Sequence, residues 1–224
     1  MRKYYWLLTV ALIGGFVISS CRKNKASAPT DIGTRTSFTE EFEDVSQLET
    51  KGWVIKDLSP DPANWSQGMM GAFDKGGRWR GFEAFSYTIL QTEYAFCYPT
   101  LDYSNTSSWL VTPVLSVKNG DKISFYTRGD TVGSFESRMQ VLMNKLSSAN
   151  VGNKAASVGD FKTTLFEINS NQALNGYPIN WQKFEYTFSD INGRTDTRIA
   201  FRHFCTNNKF SGGIGVDLFR FEVK

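Results

Sequence analysis

Acidic residues are the first candidates for chemistry in this chain of 224 residues. Glu40, Glu41 and Glu43 form a cluster near the start of the chain, whereas the other glutamates are scattered. Hydrolysis of a glycosidic bond needs two carboxylates held at a set separation across the sugar. No two of these acids fall into a recognisable catalytic motif, so the sequence favours solvated carboxylates or calcium ligands over a hydrolase.

Three cysteines and a single histidine bear the remaining reactive groups. Cys97 and Cys205 could form one disulfide outside the cytoplasm, or remain two separate buried thiols, and their spacing does not decide between these. His203 lies two residues before Cys205, which suggests a thiol protease. No nucleophile motif surrounds the pair, and strand alternation places both side chains on one face, so we do not predict catalysis.

Residues 64–81 are rich in glycine and methionine and are predicted to form a long exposed loop. Trp65, Trp79 and Arg80 lie in this segment. An exposed indole beside arginines can stack on a sugar or contact a protein, so these three are the predicted ligand-binding residues. Packing of Trp79 over a sheet edge is the alternative.

The N-terminus predicts export and lipid attachment. Arg2 and Lys3 precede a short apolar stretch, which is the layout of a signal peptide over residues 1–20 and is too short for a comfortable membrane anchor. Ile18-Ser19-Ser20-Cys21 resembles the lipobox of bacterial lipoproteins, which implies acylation of Cys21. Residues 21–36 form a polar tether. We therefore expect a protein of the cell envelope, lipid-anchored to the outer membrane on a face that the sequence does not specify.

Composition and periodicity predict the rest of the chain to be one all-β domain. Hydrophobic residues make up 41% and aromatic residues 15% of the sequence, which is enough for a large core. Removal of Arg2 and Lys3 leaves 23 basic and 22 acidic residues, so a nucleic-acid partner is not expected. About ten short alternating runs predict a jelly-roll β-sandwich over residues 37–224. Such a fold resembles galactose-binding and concanavalin-like domains. Asn119-Gly120-Asp121 predicts a hairpin.

Several motifs, read in order, resemble the choice-of-anchor J or cleaved-adhesin domain, which also supplies the adhesin domains of gingipains. The most specific is Trp109-Leu110-Val111-Thr112-Pro113 followed by Ile123-Ser124-Phe125-Tyr126. The others are Phe38-x3-Phe42-Glu43, Gly52-Trp53, residues 84–87, Trp181, residues 198–203 and residues 216–219. The resemblance implies a secreted jelly roll with structural calcium, and adhesion or ligand binding rather than catalysis.

Asp217 is an oddity of the last predicted strand. Strict alternation places it on one face with Phe219 and Phe221, unless a bulge near Gly215 intervenes. A buried carboxylate needs a partner, which could be a cation such as Arg198, Arg202 or Lys122, or Ca²⁺. The resemblance marks Glu43 and Asp217 as calcium ligands, with Glu41 as a third. We expect such an ion to join the first and last strands.

These observations predict a non-catalytic, lipid-anchored binding or adhesion module whose target is an extracellular glycan or protein. The alternatives are a glycan hydrolase on a sandwich scaffold and an accessory subunit that docks on another envelope protein.

Overall fold

A computed structural model describes residues 35–71, 81–98, 105–130, 135–206 and 209–224. The stretch Gly33–Lys224 forms one compact unit, and every strand named below lies within it. No helix in these ranges is long and apolar enough to cross a membrane.

Two antiparallel sheets face each other, which confirms the predicted all-β sandwich. The first sheet holds β1 (Phe38–Glu40), β3 (Trp65–Met69), β4 (Glu93–Cys97), β7 (Lys122–Gly129), β10 (Gln182–Thr187) and β12 (Ile214–Glu222). The second holds β2 (Val54–Asp57), β5 (Thr106–Val111), β6 (Leu115–Val117), β8 (Met139–Asn144), β9 (Thr163–Ile168) and β11 (Thr195–Cys205). Their orders are β10-β7-β12-β4-β3 with β1 on β12, and β2-β5-β11-β8-β9 with β6 on β11. The first and last strands therefore pair, as the sequence predicts for a closed jelly roll.

The main core lies between the sheets and is dominated by aromatic rings. Trp53 makes an edge-to-face contact with Phe219, which in turn packs against Phe201 of the opposite sheet. Alternating residues of each strand supply this core because successive side chains point to opposite faces. Between β1 and β2, two single 3-10 turns cover Val45–Gln47 and Glu49–Lys51. They end at Gly52 in the left-handed conformation (φ +84°), which glycine adopts without steric cost.

A bulge in β12 resolves the oddity of the last strand. The pairing of β12 with β7 shifts between Asp217 and Arg220, and Leu218 has φ +48°. Val216 and Phe219 consequently both enter the core, and Asp217 lies on the outer face. The predicted bulge is confirmed, although it lies after Asp217 rather than near Gly215.

The predicted loop over residues 64–81 is wrong at its start, where β3 forms and Trp65 enters the core with only 3% of its surface exposed. Gly68 suggests a loop in the sequence, but it lies inside β3. A Cβ at this position would lie 2.4 Å from the ring of Tyr94, so the glycine permits close packing of β3 on that ring.

Two further sequence predictions are wrong. Asn119 and Gly120 form a turn, but β6 and β7 on either side belong to different sheets, so the turn connects the sheets and no hairpin forms. The alternating pattern of residues 82–88 predicts a strand, but no strand forms there. The next strand along the chain is β4 at Glu93–Cys97, which pairs with β3 on one side and β12 on the other.

Candidate functional site

An aromatic cluster covers the outer face of the first sheet and supports the candidate site. Phe82 stacks on Tyr94 with ring centroids 4.6 Å apart, and Trp181 meets both rings edge to face. The indole Nε1 of Trp181 donates to the backbone carbonyl of Glu83 at 2.8 Å. This packing fixes Phe82 and Glu83 against the sheet, just before residues 85–92, which we call the 85–92 loop.

Asp217 holds the start of the 85–92 loop. Its Oδ2 accepts hydrogen bonds from the backbone N–H of Phe85 at 2.8 Å and, more weakly, of Ser86 at 3.5 Å. Its Oδ1 accepts from the N–H of Leu218 at 2.6 Å, and the residue is fully buried. Backbone donors that converge on one carboxylate stabilise its ionised form.

Two glutamates hold the end of the same loop. Glu43 accepts through Oε2 from the N–H of Thr92 at 3.1 Å, and Glu41 accepts from the side-chain amide of Gln91. The three carboxylates that the sequence singles out therefore all contact one loop, at its two ends. Sequence reasoning missed the loop itself, because its alternating residues look like a strand.

Two buried oxygens of this site have no hydrogen-bond partner, namely Oε1 of Glu43 and Oγ of Ser86. Buried polar atoms are rarely left unpaired in folded proteins, and each such atom requires an explanation. A carboxylate and a hydroxyl oxygen are both ligands that Ca²⁺ accepts. Each of these two oxygens is therefore a candidate ligand for a hard cation.

The predicted third carboxylate does not complete a metal cage. Across the described ranges, no group of three His, Cys, Asp or Glu side chains is arranged to hold a metal ion. Glu41 is instead engaged with Gln91. Any ion here would need hydroxyl or backbone oxygens besides Glu43 and Asp217.

The backbone is strained on both sides of the site. Phe42, next to Glu43, has φ +58°, and Leu218, next to Asp217, has φ +48°. Bulky residues adopt the left-handed region rarely and at a cost of about 1–3 kcal/mol, and such residues concentrate at functional sites. Here both conformations place a carboxylate against the 85–92 loop.

Burial raises the pKa of Asp217 to about 6, and the negative charge of Glu43 adds to this, while the three backbone donors act in the opposite direction. The pKa of Glu93 is also raised, by burial and by the charges of Glu43 and Asp44. The site thus concentrates negative charge that a cation would relieve.

None of the three predicted salt-bridge partners reaches Asp217, so that alternative is wrong for each of them. Arg198 donates to backbone carbonyls such as that of Thr112, Arg202 is bound on the second sheet, and Lys122 pairs with Glu185. Arg198 and Arg202 lie on β11 of the opposite sheet, and Lys122 lies opposite Glu222 of β12, five positions beyond Asp217.

The predicted ligand-binding residues divide into two groups. Trp65 is a core residue and is not displayed for recognition. Trp79 and Arg80 lie outside the described residues, as does the predicted lipid attachment residue Cys21. The large side chains that the described surface does display near the site are Phe85, Tyr87, Ile89 and Leu90. Phe85 stacks on Tyr126 of β7.

Cys97 and Cys205 are free thiols, which corresponds to the second of the two sequence alternatives. His203 lies between them, with Nδ1 3.4 Å from Sγ of Cys97 and Nε2 3.9 Å from Sγ of Cys205. Burial raises the pKa of Cys97 well above its ordinary value and that of Cys205 to about 12, and it lowers the pKa of His203 to about 3. All three groups are therefore neutral, and a thiolate nucleophile is not available.

This cluster leads to a simple chemical test. In the fragment Gly33–Lys224, a thiol reagent such as DTNB should react with neither cysteine while the protein is folded, because both are fully buried. Two equivalents should react after unfolding in guanidinium chloride without reductant. No reaction after unfolding would instead reveal a disulfide.

The fold and site together define a two-sheet β-sandwich with a surface loop held by one buried and two half-buried carboxylates. No protein-family model matches the chain, and no curated protein matches it. Its structure is similar to the K2 cleaved adhesin domain of Lys-gingipain, with a TM-score of 0.55 and 17% identity over 84% of this chain and 100% of that domain. It is also similar to the K3 domain of Lys-gingipain from Porphyromonas gingivalis, with a TM-score of 0.52 and 19% identity over 83% of this chain and 98% of that domain. At these identities the likeness shows the fold alone.

Proposed function

We propose that this chain is a non-catalytic binding module of the cell envelope, lipid-anchored at Cys21 to the outer membrane, whose target is an extracellular glycan or protein. The observation that carries the proposal is the 85–92 loop, a rigidly held segment with exposed aromatic and aliphatic side chains on a sandwich scaffold. Binding residues commonly lie on loops positioned by a rigid scaffold. The likeness of the fold to domains described as cleaved adhesins supports the same function.

Structural calcium is part of the proposal. Glu43 and Asp217 would hold the ion together with the hydroxyl of Ser86, all of which lie at the 85–92 loop. When bound, Ca²⁺ supplies positive charge that compensates the buried carboxylate of Asp217 and the half-buried one of Glu43. The position of the loop itself is set by hydrogen bonds from its backbone N–H groups to Asp217 and Glu43 and by the adjacent aromatic cluster.

A glycan hydrolase is less well supported by the described carboxylates. Asp217 is fully buried, and both of its oxygens accept backbone hydrogen bonds. Such a group is not placed to protonate a leaving sugar or to activate water. An accessory subunit, the other alternative, would bind through a larger apolar surface, and the binding experiment below separates it from the glycan-binding module.

Lipid attachment can be tested directly. Cells that express the full chain and are fed labelled palmitate should incorporate the label into the wild-type protein, because the lipobox resemblance places the acylated thiol at Cys21. The variant Cys21→Ala should carry no label at equal expression. A labelled Cys21→Ala protein, or an unlabelled wild type, would contradict the anchor.

The binding function calls for a screen of the fragment Gly33–Lys224 on a glycan array and against extracellular matrix proteins. We expect a ligand whose affinity falls by about tenfold or more in Phe85→Ala, an exposed aromatic of the loop outside its 87–90 turn, as is typical of an aromatic contact residue. Trp79→Ala and Arg80→Ala test the two predicted contacts outside the described residues. Leu174→Ala serves as the control, since it removes an exposed apolar side chain from another loop. If the three test variants bind the ligand as tightly as the wild type and the Leu174→Ala control do, the binding site lies elsewhere on the protein.

A further inference from the structure

A tight turn within the 85–92 loop displays two aliphatic side chains. Ile89 and Leu90 are 95% and 85% exposed and occupy the centre of the turn from Thr88 to Gln91. The N–H of Thr88 donates to the carbonyl of Gln91 at 2.7 Å, which closes the turn. Turn centres usually hold Gly, Asn, Asp or Pro, so the local conformation does not explain an Ile-Leu pair here.

The turn satisfies most of its own backbone donors. Oγ1 of Thr88 accepts from the N–H of Leu90 at 3.2 Å and of Gln91 at 3.0 Å, in addition to the bond that closes the turn. In an ordinary surface turn, water can satisfy these groups at no cost. Internal satisfaction matters most where water is excluded, because an unpaired N–H is expensive in an apolar medium. The turn can therefore move from water into an apolar medium with few unpaired backbone N–H groups.

The surroundings extend this apolar character. Tyr87 precedes the turn and is about half exposed, and Met69 and Met70 are exposed at the end of β3, where Met69 pairs with Glu93. No charged residue occurs from Ala84 to Thr92. Glu83 and Glu93 then flank the segment, so an apolar tip is surrounded by acidic side chains.

We propose that residues 87–90, the tip, insert into a lipid surface that carries little net negative charge. Protein hot spots are rich in Trp, Tyr and Arg and form many hydrogen bonds across the interface, whereas this tip offers mainly aliphatic surface and few free donors. Tyrosine beside aliphatic residues suits the boundary between headgroups and acyl chains. The flanking carboxylates exclude an anionic surface because like charges repel.

The length of chain before the sandwich places such a surface within reach. Cys21 and Arg35, the first described residue, are about 14 residues apart, so the connection spans at most about 50 Å. This step rests on the proposed acylation of Cys21, which would hold the domain at a high effective concentration next to the bilayer. Weak insertion of the tip then suffices to orient the domain.

The test uses the fragment Gly33–Lys224, which contains all described strands and core clusters and lacks the lipid. Co-sedimentation with phosphatidylcholine vesicles should give measurable partitioning of the wild type. The double variant Ile89→Ser/Leu90→Ser should lose about tenfold or more, because two exposed aliphatic side chains no longer transfer from water. Addition of phosphatidylglycerol to the vesicles should weaken binding of the wild type.

The matched control is Leu146→Ser/Leu174→Ser, which removes two leucines that are 61% and 60% exposed elsewhere on the surface. It should bind vesicles as the wild type does, and thermal melts should be equal for all three proteins. Equal binding of the tip variant, loss of binding in the control, stronger binding to anionic vesicles, or no binding by the wild type would each overturn the proposal. Self-association of the fragment that requires Ile89 and Leu90 would identify a second copy as the occupant instead. Because the fragment lacks Cys21, these outcomes are independent of the palmitate experiment.

Discussion

Addition of Ca²⁺ to the metal-stripped fragment Gly33–Lys224 should raise its Tm by about 5–10 °C at pH 7.5. A ligand that binds only the native state at about one hundred times its Kd stabilises by about 2.7 kcal/mol, and each kcal/mol corresponds to about 2–4 °C for a domain of this size. The physical reason is the proximity of two carboxylates, the fully buried Asp217 and the half-buried Glu43, whose Oε1 is buried without a hydrogen-bond partner. Differential scanning calorimetry measures the effect.

Asp217→Asn should abolish the response to Ca²⁺. The amide keeps the size of the side chain but removes the charge, so it can still accept a hydrogen bond from the loop. Glu222→Gln is the matched control, because it neutralises an exposed acid on the same strand and should leave the response intact. A wild-type Tm that millimolar Ca²⁺ does not change would refute the calcium site, and so would an Asp217→Asn response equal to that of the wild type.

The same carboxylate determines how stability depends on pH without calcium. Because the folded state raises the pKa of Asp217 to about 6, the native state binds more protons than the unfolded state between about pH 4 and 6. The free energy of unfolding contributed by this group is therefore largest below about pH 4 and falls as pH rises through 6. Ca²⁺ requires the ionised form, so its stabilising effect should weaken below pH 6. Urea denaturation at pH 5 and 7.5, with and without Ca²⁺, tests both signs.

Sequence alternation was a reliable guide where strands have one buried face. It predicted the final strand and its irregularity, since Asp217 could not share a buried face with Phe219 and Phe221. The structure places a bulge there, which returns both phenylalanines to the core and turns the carboxylate outward. A local conflict between charge and burial was therefore sufficient to locate the carboxylate that holds the start of the 85–92 loop.

Alternation failed where tertiary packing overrides composition. Gly68 looks like a loop residue, but it is required by the ring of Tyr94 across the β3–β4 ladder. Residues 82–88 look like a strand, but most of them belong to the 85–92 loop. Asp217 and Glu43 bind the two ends of this loop, so it does not pair with any strand. The hydrogen bond to Asp217 joins residues more than a hundred positions apart, and the one to Glu43 joins residues about fifty positions apart. The spacing of residues along the chain does not reveal such contacts.

Replacement of Arg202 by alanine should destabilise the fragment by about 2–4 kcal/mol, because it removes charge-assisted hydrogen bonds and leaves a cavity beside Trp109. Arg202 is buried on the second sheet, and its guanidinium lies 4.7 Å from the ring centroid of Trp109 and 3.7 Å from that of Phe204. It donates to Oγ of Ser107 and Oε1 of Gln140. Burial lowers its pKa to about 9, so it remains charged at neutral pH.

The effect should extend beyond the strand, because Arg202 also donates to the backbone carbonyl of Ala155 in the segment that covers this sheet. Hydrogen exchange at residues 149–161 should accelerate in Arg202→Ala more than the global loss of stability requires. Arg202→Met fills the space beside Trp109 without donors, so it should retain part of the lost stability but none of the exchange protection. Arg220→Ala, at an exposed arginine of β12, should change neither quantity. If Arg202→Ala unfolds at the wild-type denaturant concentration, then the aromatic stack alone holds the covering segment, and the guanidinium contributes nothing to its attachment.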